Sequence, residues 1–274
     1  MVRKSAFTLI ELLVVISIIA LLMAIFLPAL SRVRKQAKAV ICLSHLKQWG
    51  TTFALYTEEN EGHLPGLGAT VWLKRGAFAS EGDPNEPRVG RSIRTQGIAC
   101  CPTATKPREG LGYFSIGELK GHRGATFRAW QLTSPAPPFL GSYGLNRSLD
   151  LFTTIGSQLG KSVDTYSLRN TARIPAILDS VRPYGGLVNP FSSPPRTEFA
   201  GEIQGCIINR HNGCINGLFL DWSVRPIGIK ELWTLKWCPD FETAGRWTRA
   251  GGVQPADWPE WIRRFKPIFD TMKL

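Results

Sequence analysis

The sequence predicts an α+β protein, in which one long N-terminal α-helix packs its second half on a small antiparallel β-sheet with long loops. Three observations carry this. Apolar residues are concentrated at the start: between positions 7 and 30 the only charged residue is Glu11. Helical spacing then continues for about thirty residues with one apolar face. Beyond residue 62 the pattern breaks into short β-type runs separated by Gly and Pro, of which the chain holds 27 and 19. A chain of 274 residues that is 43% hydrophobic and 20% charged is neither disordered nor fibrous, and it is long enough to bury a sizeable core.

The helix comes first. Residues 7–30 rise about 36 Å at ~1.5 Å each, more than a ~30 Å hydrocarbon core requires. Arg3 and Lys4 precede the span, and Arg32, Arg34, Lys35 and Lys38 follow it. With positive charge on both sides, the positive-inside rule does not fix the orientation. Leu30, Val33, Ala37, Val40 and Ile41 continue at spacings of three and four, and His45, Trp49, Phe53 and Tyr56 extend the stripe. Pro28 predicts a kink, not an end. The helix stops at the turn signal Glu59-Asn60-Glu61-Gly62. The competing reading is a secretory signal peptide cleaved near Ala29-Leu30-Ser31. Two features oppose it: the helical pattern runs through that site, and Glu11 costs roughly 3 kcal/mol in lipid with no Lys or Arg inside the span.

The remainder, residues 62–274, reads as one loop-rich domain. Residues 81–87, 102–142 and 192–195 are rich in Gly, Pro or polar breakers and show no sustained period. Strands are expected at residues 176–178, 203–209, 215–220 and 224–225. Residues 203–208 and 215–220 flank His211-Asn212-Gly213, and the second run leads through Asp221-Trp222-Ser223 to Val224, which reads as two successive hairpins. Six of the nine tryptophans lie between positions 222 and 261. Trp233 and Trp237 suggest a short helix at 230–236. Asp257 is positioned to cap a final helix with Trp261, Phe265, Ile268 and Met272 on one face. These indoles either pack on the sheet or face outward to stack on sugars and partner subunits.

Chemistry is sparse. No G-x-S-x-G, H-E-x-x-H or phosphate-binding loop occurs, and there are only four His, at 45, 63, 122 and 211. His211 and Asp221 are the candidate acid–base pair, yet such a pair still needs a nucleophile or a metal. Asp and His at hairpin ends more often form turns by bonding backbone groups, so no enzyme is expected. Cys206 and Cys214 lie symmetrically about Arg210 and are the candidate disulfide across the hairpin. Zinc competes for the thiols, but there is no C-x-x-C and adjacent Cys100 and Cys101 are a poor chelate, so no metal is expected. The net charge of +12 suggests an anionic partner. With no nucleic-acid motif and no dense basic stripe, nucleic acid is not expected; the four positives after the span point to membrane lipid.

Lys4-Ser5-Ala6-Phe7-Thr8-Leu9-Ile10-Glu11 resembles the prepilin processing motif of type IV pilins and type II secretion pseudopilins. Ala6 replaces the commoner Gly before the cut. The resemblance implies a type IV pilin-like fold with a leader at 1–6, a membrane and filament-core segment at 7–30, its amphipathic continuation at 31–61 and an exported domain at 62–274. It implies cleavage between Ala6 and Phe7 by prepilin peptidase, N-methylation of Phe7, and pairing of Glu11 with the new α-amino group of a neighbouring subunit. Homologous subunits, the peptidase/methylase and an inner-membrane assembly platform are then the partners. The location is the cytoplasmic membrane, single-pass with the C-terminal domain outside, and later a periplasmic or surface filament.

His211 to Asp221, with nine residues between, together with the processing motif resembles the prepilin-like proteins with an H-x9-D-G element that are abundant in planctomycetes and verrucomicrobia. Trp222 stands where that element has Gly. Cys42-Leu43-Ser44-His45-Leu46-Lys47-Gln48, Cys101-Pro102, Tyr143-Gly144-Leu145-Asn146 and Ile177-Leu178-Asp179-Ser180 match as well. Because some pseudopilins use calcium, Asp179 and Asp221 with nearby carbonyls are a candidate calcium site, although no EF-hand spacing supports it. The function expected is a structural subunit of a pseudopilus or pilus-like filament. The alternative is a membrane-anchored module presenting Trp-rich loops to polysaccharide or a secreted substrate.

Overall fold

The computed structural model describes residues 9–64, 98–108, 112–116, 119–134, 138–146, 149, 164–186, 192–198, 205–237 and 241–265. Helix α1 (Leu9–Glu59) runs unbroken for 51 residues through Pro28, about 77 Å. Proline withholds the amide that the Ala24 carbonyl would otherwise receive, a local loss the flanking turns carry without ending the helix. No residue of α1 from 9 to 41 is buried. The buried positions are Cys42, Leu46, Trp49, Gly50, Phe53 and Thr57, spaced by three and four along one face.

That face lies on a five-stranded sheet of order β7-β5-β6-β8-β9. Its strands are β5 (Tyr143–Asn146), β6 (Pro175–Asp179), β7 (Tyr184–Gly185), β8 (Cys214–Phe219) and β9 (Val224–Gly228). The pairs are antiparallel except β5 with β7. Alternation along β8 sets the two faces: Asn216 and Leu218 point to the helix, while Ile215 and Phe219 point away. Gly50 lets α1 come close, since a Cβ there would sit 2.7 Å from Leu218 Cδ1. On the far side Ile215, Phe219 and Ile227 meet the C-terminal segment, including the 3₁₀ turns Ile229–Thr234 and Pro255–Asp257 and the short helix α2 (Glu260–Arg263).

A second, four-stranded antiparallel sheet fills residues 113–141, inside the stretch expected to be loop. Its strands are β1 (Tyr113–Ile116), β2 (Leu119–His122), β3 (Trp130–Ser134) and β4 (Phe139–Gly141), in that order. Strands this short carry too few alternations to register as a period. Gly121 is required where β2 bulges against β3, because a Cβ would lie 2.1 Å from the Gln131 carbonyl oxygen. A single residue, Ser142, separates β4 from β5 and so joins the two sheets.

Three expectations are corrected. The first hairpin does not form: the described part of 203–209 is a turn at 205–206 followed by irregular chain, and β8 pairs with β6 and β9 instead. Ile207 and Ile208 are buried, so their apolar character reflects a covered loop rather than a ladder. Cys206 and Cys214 therefore do not face one another across strands, and both are free thiols. Asp257 caps the 3₁₀ turn, accepting the Gln254 amide at 2.7 Å, and not the final helix. Of the C-terminal tryptophans, Trp233, Trp237, Trp247 and Trp258 are buried, and Trp222 and Trp261 half-buried. The Trp233, Trp237 and Trp261 N–H groups donate to the carbonyls of Ser192, Leu232 and Pro195 at 2.8–2.9 Å. The four buried indoles pack in the core beneath the sheet.

Candidate functional site

Four distant segments deliver polar side chains to one buried point. On β6 the register moves from Pro175 opposite Phe219 to Ile177 opposite Leu218, so Ala176 is an extra residue. The bulge leaves Ile177 and Asp179 facing α1 and Leu178 facing the tryptophans. Asp179 then lies beside Asn216 of β8, whose backbone N–H donates to Asp179 Oδ2 at 2.8 Å. The Asn216 side-chain amide reaches across to the Ala39 carbonyl at 3.1 Å and docks the helix there. Cys42 is one turn before Leu46 on the buried face of α1. Cys101 arrives from the loop after residue 97, its amide donating to Ser142 Oγ at 2.5 Å. His211 sits in the tight turn before β8, held by its amide bond to the Cys214 carbonyl (2.9 Å) and by Asn209 Oδ1 accepting the Gly213 amide (2.6 Å).

Asp179 is the centre. Its Oδ1 accepts from Arg210 Nη1 at 2.9 Å and its Oδ2 lies 3.2 Å from His211 Nε2. Cys42 Sγ is 3.7 and 3.8 Å from the two carboxylate oxygens. Cys101 Sγ is 3.4 Å from His211 Nε2 and 3.0 Å from Thr103 Oγ1. The Tyr143 hydroxyl donates to Cys42 Sγ at 3.2 Å. Arg210, with a fully covered side chain, also donates to the carbonyls of Thr126 (2.7 Å), Ser142 (2.5 Å) and Ser180 (3.2 Å), and so knits the two sheets together.

Burial works against every charge here, and the partners decide the outcome. Burial would raise Asp179, but the Arg210 guanidinium, His211 and the Asn216 amide hold it below the usual carboxylate range. Burial likewise opposes a charged imidazole, yet hydrogen bonds to Asp179 and Cys101 carry His211 up to about 9. The two thiols split: the Cys42 hydrogen bond brings Cys101 down to about 5 against its burial, while Cys42 itself, buried, is raised well above the ordinary thiol range. The cluster is a polar lock with no exposed nucleophile: Cys42, Cys101 and Asp179 are 0% exposed.

The sequence-predicted residues are only partly brought together. His211 is in the cluster; Asp221 is not. Asp221 is exposed in the β8–β9 turn, where its Oδ1 accepts from the Ser223 amide (3.0 Å) and hydroxyl (2.6 Å). Asp179 pairs with His211 instead, at the other end of β8, roughly 16 Å from the Asp221 turn at ~3.3 Å per residue. The same separation means that Asp179 and Asp221 do not form a joint calcium site. Asp221 is therefore a turn former, as expected of Asp at a hairpin end, and His211 is a half-buried partner whose ring is nearly covered. Glu11 and Pro28 lie on the exposed stem of α1; Ala6 and Phe7 lie outside the described residues. The sequence pattern assigns Arg210, Cys42, Cys101 and Tyr143 to no common site, although Cys42 falls in register with the buried helical stripe.

With the geometry in place, residues 1–27 match the prokaryotic N-terminal methylation motif. No curated protein and no solved structure matches the chain. The motif makes the chain prepilin-like. α1 is the one described helix long and apolar enough to cross a membrane, so motif and helix together mark its N-terminal part as a membrane anchor.

Proposed function

We propose that the protein is a structural subunit of a type II secretion pseudopilus or type IV pilus-like filament. Prepilin peptidase cuts between Ala6 and Phe7 and Phe7 is N-methylated. The domain from residue 62 onward then stands outside the cytoplasm while the helix waits in the membrane. One observation carries the reading: the methylation motif heads a helix with no buried residue before position 42. A surface so apolar is satisfied by lipid before assembly and by the helices of neighbouring subunits afterwards. Glu11 sets the axial register by pairing with the α-amino group of the adjoining subunit, since opposite charges attract far more strongly in a low-dielectric core than in water.

Mass spectrometry of the mature N-terminus tests this. A chain beginning at methylated Phe7 is expected; one beginning at Met1 or near Arg32 refutes it. Glu11→Leu should leave membrane insertion intact and abolish incorporation into filaments, and normal filaments from that variant would overturn the role of the carboxylate.

A further inference from the structure

We propose that Cys42, Cys101, Asp179 and His211 are the four ligands of a structural zinc ion that clamps α1 to the sheet domain. One donor atom from each lies within 4.8 Å of every other. Three of the six separations match those of a single tetrahedron. An ion bound at about 2.3 Å to sulfur and about 2.0 Å to nitrogen and oxygen holds its ligand atoms roughly 3.3–3.8 Å apart. Cys42 Sγ and Asp179 Oδ2 are 3.8 Å apart, Cys101 Sγ and His211 Nε2 3.4 Å, and His211 Nε2 and Asp179 Oδ2 3.2 Å. Two thiolates, one imidazole and one carboxylate are a donor set for zinc, and the complete burial of the thiols and carboxylate matches a closed structural site.

The surroundings are those of an oriented metal shell. Tyr143 and Thr103 hydroxyls bond the two sulfurs, and Asn216 and Arg210 fix the carboxylate. Charge closes as well: two thiolates and one carboxylate are balanced by Zn²⁺ and the buried Arg210 guanidinium. As the ion enters, the thiols and the imidazole give up whatever protons they carry at their ligating atoms, since each must be deprotonated to bind. The ligands come from the helix, the loop after residue 97, β6 and the turn before β8. A single ion therefore ties four segments that share no local contact in sequence.

The full-length chain, purified in detergent, tests the site. Elemental analysis after gel filtration should find one zinc per chain. Co²⁺ added to the metal-stripped protein should give thiolate charge-transfer bands and the intense visible absorption of a tetrahedral ion, a readout that needs no variant to fold. Cys42→Ser and Cys101→Ser should each lose that spectrum, Tyr143→Phe should weaken binding by roughly 10-fold, and Cys206→Ser should leave it unchanged. A folded chain that retains no zinc and shows no tetrahedral Co²⁺ spectrum overturns the assignment. So does a Cys42–Cys101 disulfide found by peptide mapping, or a Cys206→Ser chain that loses the metal as Cys42→Ser does.

Discussion

Replacing Arg210 by Met isolates what the buried guanidinium contributes. Its covered side chain neutralises Asp179 at 2.9 Å and supplies donors to the carbonyls of Thr126, Ser142 and Ser180. Methionine keeps the stem volume and removes every one of those bonds, and no solvent reaches the site to replace them. Breaking a buried pair by deleting one partner costs about 3–5 kcal/mol, because the other charge stays behind uncompensated. Against a total stability of roughly 5–15 kcal/mol, that is enough to unfold a marginal domain. Urea unfolding of the detergent-solubilised chain, followed by tryptophan emission in the presence of a chelator, measures the shift in midpoint. Trp130 is a local reporter, since its N–H donates to the Tyr143 carbonyl beside the cluster at 3.0 Å. Adding Asp179→Asn to Arg210→Met should recover part of the loss, because the stranded carboxylate is gone. A single variant within about 1 kcal/mol of the parent, or a double variant with purely additive losses, would refute the assignment of Arg210 as the counter-charge.

Two further predictions rest on local geometry. Trp222 has φ +62°, the left-handed conformation, and stacks on Phe53 with the rings 3° from parallel. Trp222→Gly should therefore be more stable than Trp222→Ala by about 1 kcal/mol in the same unfolding assay, the reverse of the order inside a helix; equal stabilities would show that the backbone there is unstrained. Burial pushes the Cys206 thiol up to about 12. In the native protein near pH 8 it should resist iodoacetamide and react only after denaturation, without reductant. A peptide map joining Cys206 to Cys214 would instead restore the disulfide that their spacing suggests.

The helix is legible in the sequence because an apolar run at residues 7–30 leads into about thirty residues of helical spacing, and the strands β6, β8 and β9 because their short apolar runs are bounded by turn residues. The four-stranded sheet is not, since its strands are three to five residues long and interrupted by Gly121 and Gly141. Ile207 and Ile208 mislead in the other direction: burial in a covered loop leaves the same apolar mark as burial in a strand. At the site, His211 is visible as a candidate, but local spacing points to Asp221 as its partner. The partner is Asp179, and only the bulge at Ala176 and the pairing of β6 with β8 bring the two together. A cluster assembled from four remote segments leaves no spacing signature, and so the lack of a C-x-x-C motif does not bear on it.

Cys42 is the first buried residue of α1, and the helix before Ala39, residues 9–38 and about 45 Å long, is exposed throughout. Any pull along that stem thus enters the globular part at Ala39 and Cys42 and is passed at once to β8 through Asn216 and to β6 through Asp179. Because the helix lies along the sheet, the load is shear: Leu46, Trp49 and Phe53 resist together instead of peeling one after another. The polar lock sits where the stress arrives, and the apolar face behind it shares what the lock transmits.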